Sequence, residues 1–151
     1  MAKEIEVKGV ERVVKNLSDL SDRTFKNLVN AAEAVQAMVI NTARDLAPKV
    51  THNLEKSIQA GDVIVSDGNV TAEIIANADY ASYVEEGTRP HFPPLEPIRE
   101  WASQVLGDPG AAFPIARKIA ERGTKGVHFL ENARKANVQT FIRAIQRAAK
   151  L

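Results

Sequence analysis

Three histidines, two adjacent glutamates and a cluster of basic residues near the C-terminus are the side chains of this chain that could do chemistry. His52, His91 and His128 lie far apart, and none sits in a spaced pair such as His-x-x-x-His. A zinc centre needs three or four converging ligands, so surface or loop positions are expected for all three. Glu85-Glu86 is a carboxylate pair by adjacency only. General acid–base work needs carboxylates placed across a substrate with separated pKa values. Neighbours on a helix point about 100° apart, which predicts one packed and one solvated glutamate. No Gly-x-Ser-x-Gly elbow is present, and the glycines do not spell a phosphate loop. The chain reads as a non-enzyme without cofactor or metal; a hydrolase using Glu85 or Glu86 with His91 is the enzymatic alternative.

The basic cluster runs through Arg117, Lys118, Arg122, Lys125, Arg134, Lys135, Arg143, Arg147 and Lys150. Aromatic side chains that could stack on single-stranded bases are nearly absent among them, which argues against sequence-specific reading. Charge is unevenly spread. There are 11 Lys+Arg against 17 Asp+Glu through Gly110, and 9 against 2 from Ala111 onward. Three readings stay open: solvated helix faces of opposite sign, acidic-to-basic contact between subunits, or phosphate contact with DNA.

The elements that position these residues follow from periodicity. At 151 residues the chain fits one domain, 1–151, with a real core. Aromatics are only 5%, so Ala, Val, Ile and Leu must build that core. There are no cysteines, hence no disulfide or thiolate site. No apolar run approaches the roughly 20 residues that span a bilayer. The start lacks the hydrophobic segment of a signal peptide, so a cytoplasmic origin is expected.

Ile5 and Val7 alternate with Glu4, Glu6 and Lys8 as in a half-buried strand, and Gly9 ends it. Val10, Val13, Val14 and Leu17 recur at helical spacing, with Ser18 and Ser21-Asp22 as breakers and caps. Arg23 to Ala47 is the strongest helix, with Phe25, Leu28, Val29, Ala32, Val35, Val39, Ala43 and Leu46 on one stripe and Pro48 as its stop. Val63 to Ala76 reads as a hairpin turning at Asp67-Gly68, its first strand starting as early as Ser57-Ile58. Val70, Ala72, Ile74 and Ala76 share one face of the second strand. A short helix carries Ile98, Trp101, Ala102 and Val105 and ends at Gly107; another carries Ile115, Ala116, Ile119 and Ala120 and ends at Gly123. Thr124-Lys-Gly126 reads as a turn. A last helix runs from Phe129 to Ala149, with Leu130, Ala133, Phe141, Ile142 and Ile145 inward and Arg143, Arg147 and Lys150 in water or against a partner. The sum is an α+β fold: a small, mainly antiparallel sheet packed by one long helix, followed by short helices and a C-terminal helix. Trp101, the only tryptophan, is expected to be largely buried.

Between the hairpin and a proline-rich loop, Arg89-Pro-His-Phe-Pro-Pro-Leu-Glu-Pro97, stands Tyr80-Ala-Ser-Tyr-Val-Glu-Glu-Gly-Thr88. Tyr80 and Tyr83 are three apart and would share a helix face, either sealing the core or, with Glu85, facing a neighbour. Gly87 is expected at positive φ, with Thr88 bonding locally. This segment resembles the central motif of the phage neck and tail-completion proteins, a head–tail joining family that includes minor tail protein Z-like members. Further stretches carry the resemblance from Val7 to Ala136: Val7-Lys-Gly-Val-Glu-Arg-Val-Val14, Ala43-Arg-Asp-Leu-Ala-Pro48, Thr51-His-Asn-Leu-Glu-Lys-Ser-Ile58 and Gly126-Val-His-Phe-Leu-Glu-Asn-Ala133. His52 stands where the family pattern has glycine, a substitution with a backbone cost if φ is positive there.

The resemblance implies a structural virion protein at the head–tail junction or upper tail of a long-tailed bacteriophage, made in the host cytoplasm. It implies a ring homo-oligomer, a hexamer, with a head–tail connector or head-closure protein and a tail terminator or tail-tube protein as partners. Interface candidates are Tyr80, Tyr83, Glu85, Gly87, Thr88 and Arg89. The alternative is a nonspecific DNA-contacting protein that uses the basic surface of Arg134, Arg143 and Arg147, with DNA in a channel; no membrane contact is expected.

Overall fold

A computed structural model describes residues 1–6, 22–49, 52–66 and 69–150. The expected features at Val7 to Gly9, the helix from Val10 to Leu17 with its breakers Ser18 and Ser21, and the Asp67-Gly68 turn lie outside the described residues.

The main sheet has three strands in the order β1-β3-β2, all antiparallel neighbours: β1 (Ala2–Glu6), β2 (Ile58–Ser66) and β3 (Asn69–Ala76). Strand alternation does what the sequence predicts. Val70, Ala72, Ile74 and Ala76 are all buried on one face of β3. The register of β2 shifts between Ala60 and Val63. A bulge frees backbone carbonyls that still need donors. Gln36, itself buried, supplies them by donating its Nε2 to the carbonyls of Gly61 (3.1 Å) and Glu73.

Gln36 sits on α1 (Asp22–Leu46), which lies on the sheet and along the last helix. At 1.5 Å per residue α1 is about 37 Å long. Its stripe of Leu28, Ala32, Val35, Val39 and Ala43 is buried, as the steps of three and four require. The expected stripe fails at both ends. Phe25 and Leu46 are exposed, and Thr24 and Ala47 are buried instead. A straight stripe at steps of three and four drifts around a 3.6-residue helix, so the core-facing line leaves it after several turns.

The short α2 (Asn53–Ser57) leads into β2, and His52 before it takes the left-handed conformation (φ 56, ψ 3). A histidine thus holds the left-handed conformation that glycine takes more readily. Its ring Nδ1 lies 2.9 Å from Glu55 Oε2. The last helix covers Phe129–Ala148 and buries Phe129, Leu130, Ala133, Phe141 and Ile145. Asn137 on the same face is buried as well, donating to Thr42 Oγ1 (3.1 Å) on α1 and to Ala133 O (2.9 Å). Sheet, α1 and this helix share one core.

Between them stands a second unit of structure. Helix α3 (Ala81–Glu86) runs into β4 (Gly87–Thr88); then come the proline loop, α4 (Leu95–Leu106), a 3-10 turn (Pro109–Ala111), α5 (Ala112–Arg122) and β5 (Thr124–Lys125), and finally the last helix, α6. Strands β4 and β5 pair antiparallel, Gly87 opposite Lys125 and Thr88 opposite Thr124. They form a two-residue stem from which α4 and α5 project as a helical arm, packed on each other and on the 3-10 turn. The observed architecture is thus α+β, with a long helix on a small antiparallel sheet and a C-terminal helix.

Candidate functional site

The motif Tyr80–Thr88 divides into an inward and an outward half. Ala81 and Glu85, one turn apart on α3, point into the protein and are fully buried. Tyr80 and Tyr83 point out, and Tyr83 is 62% exposed. Glu86 is exposed beside buried Glu85, which matches the expectation of one packed and one solvated carboxylate.

Glu85 caps a helix that starts 44 positions further along the chain. Helix α6 opens at His128, a left-handed residue (φ 54) whose side chain makes no cap bond. A helix start leaves its first N–H groups without partners. Glu85 accepts two of them: Leu130 N–H to Oε2 at 2.9 Å and Glu131 N–H to Oε1 at 3.0 Å. These are the second and third helical positions, the donors that an ordinary N-cap side chain would take. The positive end of the helix dipole adds to the attraction for the carboxylate, and Lys3 Nζ lies 4.0 Å away. Glu85 is therefore not on the face that Tyr83 offers; its chemistry is spent inside the subunit.

The stem is held just as tightly. Val127 N–H donates to Val84 O (2.8 Å) and His128 N–H to Glu85 O (3.0 Å). Gly87 has φ 80 and ψ −173, and Gly123 across the ribbon has φ 69 and ψ −162, backbone shapes open essentially to glycine alone. A Cβ on Gly87 would run into the carbonyl of Thr124, and one on Gly123 into the carbonyl of Thr88. Thr88 does not bond locally, contrary to expectation. Its Oγ1 lies 3.0 Å from Thr124 Oγ1 and accepts from Thr124 N–H at 3.2 Å, both across the stem. The Thr124-Lys-Gly126 segment is accordingly a strand partner of the motif and not a free turn.

Outward, α3, α4 and the stem enclose a groove of about 930 Å³. Tyr80, Tyr83, Val84, Ile98 and Trp101 line it, together with the cationic Arg89 and Lys125. A smaller hollow of about 420 Å³, between α2, α3 and α4, shares Tyr80, Val84 and Trp101 with it. Trp101 is 37% exposed, so its expected burial is corrected. Its helical stripe is real, but only Ala102 of that stripe is fully covered, and Val105 is exposed too. The arm has too little mass behind α4 to enclose an indole.

The histidines stay apart, as expected: His52 on Glu55, His91 on the carbonyl of Arg89 (2.9 Å), His128 at the start of α6. No cluster of three or more metal-ligating side chains occurs among the described residues. Part of the basic cluster is neutralised at home. Arg134 holds Glu131 through two bonds (3.0 and 2.8 Å), Lys135 adds a third contact to it (3.3 Å), and Arg117 pairs with Glu121. The Arg134 bonds, chiefly, hold the Glu131 carboxyl down at about 2, against the opposing effect of burial. Arg143 and Arg147 are exposed and have no ion-pair partner among the described residues.

Two features were missed by reading the sequence. The Glu85 cap left one signal: α6 begins at His-Phe-Leu with no Ser, Thr, Asp or Asn at its N-cap, so its acceptor had to come from elsewhere. The stem left another in the matching Gly-Thr pairs at Gly87-Thr88 and Gly123-Thr124.

Residues 11–87 match the family described as "Bacteriophage HK97-gp10, putative tail-component". The match spans just over half of the chain, and the chain belongs to this family. That makes it a structural component of a bacteriophage tail, and so a part of the virion. No curated protein and no solved structure matches it. The family match ends at Gly87, on the first leg of the stem. The Gly126–Ala133 segment beyond it is physically tied to the matched motif by the Glu85 carboxylate.

Proposed function

We propose that this tail component repeats as a ring, a hexamer, at the neck or upper tail of a long-tailed phage, where it completes or joins the tail. It turns over no substrate. Its neighbours are a head-side connector or head-closure protein and a tail-side terminator or tail-tube protein, and rings form from subunits made in the host cytoplasm. One observation supports this most: the outward half of the family motif, Tyr80 and Tyr83, builds with Trp101 an open aromatic groove, and exposed clustered aromatics are what protein interfaces use. Arg89, Thr88 and Gly87 line it as well. Glu85 acts one step back, holding the stem on α6.

Tyr83→Asp tests the reading, because Tyr83 is exposed and the variant should fold. Phage carrying it should accumulate unjoined heads and tails under the electron microscope. Normal particle yield and infectivity would count decisively against the groove as a joining surface. The second reading, nonspecific DNA contact, draws on Arg143 and Arg147 alone, since Arg134 is committed to Glu131. If it holds, duplex affinity falls steeply with salt, ignores sequence, and disappears in Arg143→Glu/Arg147→Glu.

A further inference from the structure

The arm carries two apolar features that share no residue. One is the groove of Tyr80, Tyr83 and Trp101. The other is Phe92 in the proline loop and Phe113 in the first turn of α5. Their ring centroids are 6.4 Å apart with planes inclined by 57°, and neither ring lines the groove. Phe113 is 58% and Phe92 56% exposed. A tilted aromatic pair standing in water is a convex apolar knob, and the groove is a concave one. Individual unpaired charges of opposite sign lie on the segments that carry them. Arg89 and Lys125, which line the groove, have no ion-pair partner among the described residues. Neither does Asp108, on the turn leading into the helix of Phe113, whose carboxylate accepts only Gly110 N–H (2.8 Å).

We propose that the Phe92–Phe113 knob of one copy of this chain seats in the Tyr80–Tyr83–Trp101 groove of a second copy, with Asp108 turned toward Arg89 and Lys125. Knob and groove are different patches, so the contact is heterologous, and copies follow one another head to tail until the rotation closes. This deepens the ring reading and rests on it for its place in the particle. Opposite charges on the two patches steer the encounter and oppose groove-to-groove or knob-to-knob pairing.

The chain has no cysteine, so a pair can be introduced cleanly at two exposed positions. Tyr83→Cys/Phe113→Cys, treated with a short bismaleimide as purified protein over a concentration series and again on isolated particles, should give a ladder of linked copies. Either single variant should give none, because like positions do not meet. Asp108→Lys should lower the ladder several-fold, and adding Lys125→Glu should restore it. The proposal is overturned by a double variant that stays unlinked, by dimers from either single variant, by products that stop at the dimer, or by links to another phage protein only. A yield indifferent to Asp108→Lys overturns the charge pairing. The two levels separate cleanly. A ladder from purified protein that is absent from particles sinks the virion placement alone; a protein present in particles but never linked sinks the contact alone.

Discussion

The body and the arm of this protein solve the problem of apolar surface in opposite ways. In the body, Phe129, Phe141, Leu28, Ile58, Ile74 and Ile145 are essentially sealed from water by α1, α6 and the sheet. In the arm, the fully buried apolar residues of the helices are alanines, Ala102, Ala112 and Ala116, while Trp101, Val105, Leu106 and Phe113 remain exposed. Small residues let α4 and α5 approach closely but bury little area. Since hydrophobic stabilisation scales with buried apolar area, the body holds the fold and the arm depends on its stem. Large apolar groups left in water on a weakly anchored element are placed for contact with something else.

Substitutions can break or sharpen this contrast. The largest effect should come from the body. Phe141→Ala should cost about 3–5 kcal/mol in urea unfolding, the range for a sealed aromatic. Trp101→Ala should cost well under half of that, and native Trp101 fluorescence should be red-shifted and readily quenched. Equal costs at the two sites would erase the distinction.

The joint between the two regions comes next. Glu85→Ala strands two N–H groups at the buried start of α6 and should cost about 2–4 kcal/mol. Glu85→Gln, which keeps one acceptor oxygen, should recover part of it. A neutral Glu85→Ala would mean that α6 is capped without Glu85.

Acid should reveal a smaller term in α6. The Glu131 carboxyl sits at about 2, below its ordinary 4.5. A depressed folded-state pKa contributes stability that is present above the unfolded value and lost as pH falls from there through the folded one. The stability difference between the native chain and Glu131→Gln should therefore shrink between about pH 4.5 and 2. A difference unchanged across that window would leave the Arg134 pair without a stabilising role.

The smallest effect belongs to His52→Gly. It relieves a left-handed histidine but loses the Glu55 contact and gains unfolded-state entropy. The net change should stay within about 1 kcal/mol, and a larger loss would show the histidine ring to be essential there.

What the sequence made legible was whatever depends on near neighbours. The β3 alternation, the middle of the α1 stripe, the extent of α6 and the positive φ of Gly87 all follow from local spacing. Trp101 was misjudged because a stripe marks a helix face without saying whether that face is covered by the same chain. That one glutamate of the pair is packed was legible, but the role of Glu85 as a helix cap was not, because its partners, Leu130 and Glu131, are about 45 positions away. Of the residues lining the groove, Tyr80, Tyr83 and Arg89 were candidates from the motif, whereas Trp101 and Lys125 joined them only through the folding back of α4 and β5.

The two-residue stem has a consequence for how such tails diversify. Thr88 and Thr124 touch, so the 35 residues between them form a closed excursion whose ends are already joined. Loop-closure cost grows only slowly with length. Insertions or deletions in that excursion should therefore leave the register of the body and the cap on α6 in place. The recognised family segment stops at Gly87, where the excursion departs. A short turn grafted from Thr88 to Thr124 should yield a folded body that keeps Tyr80 and Tyr83 but loses the Ile98 and Trp101 side of the groove and the Phe92–Phe113 pair.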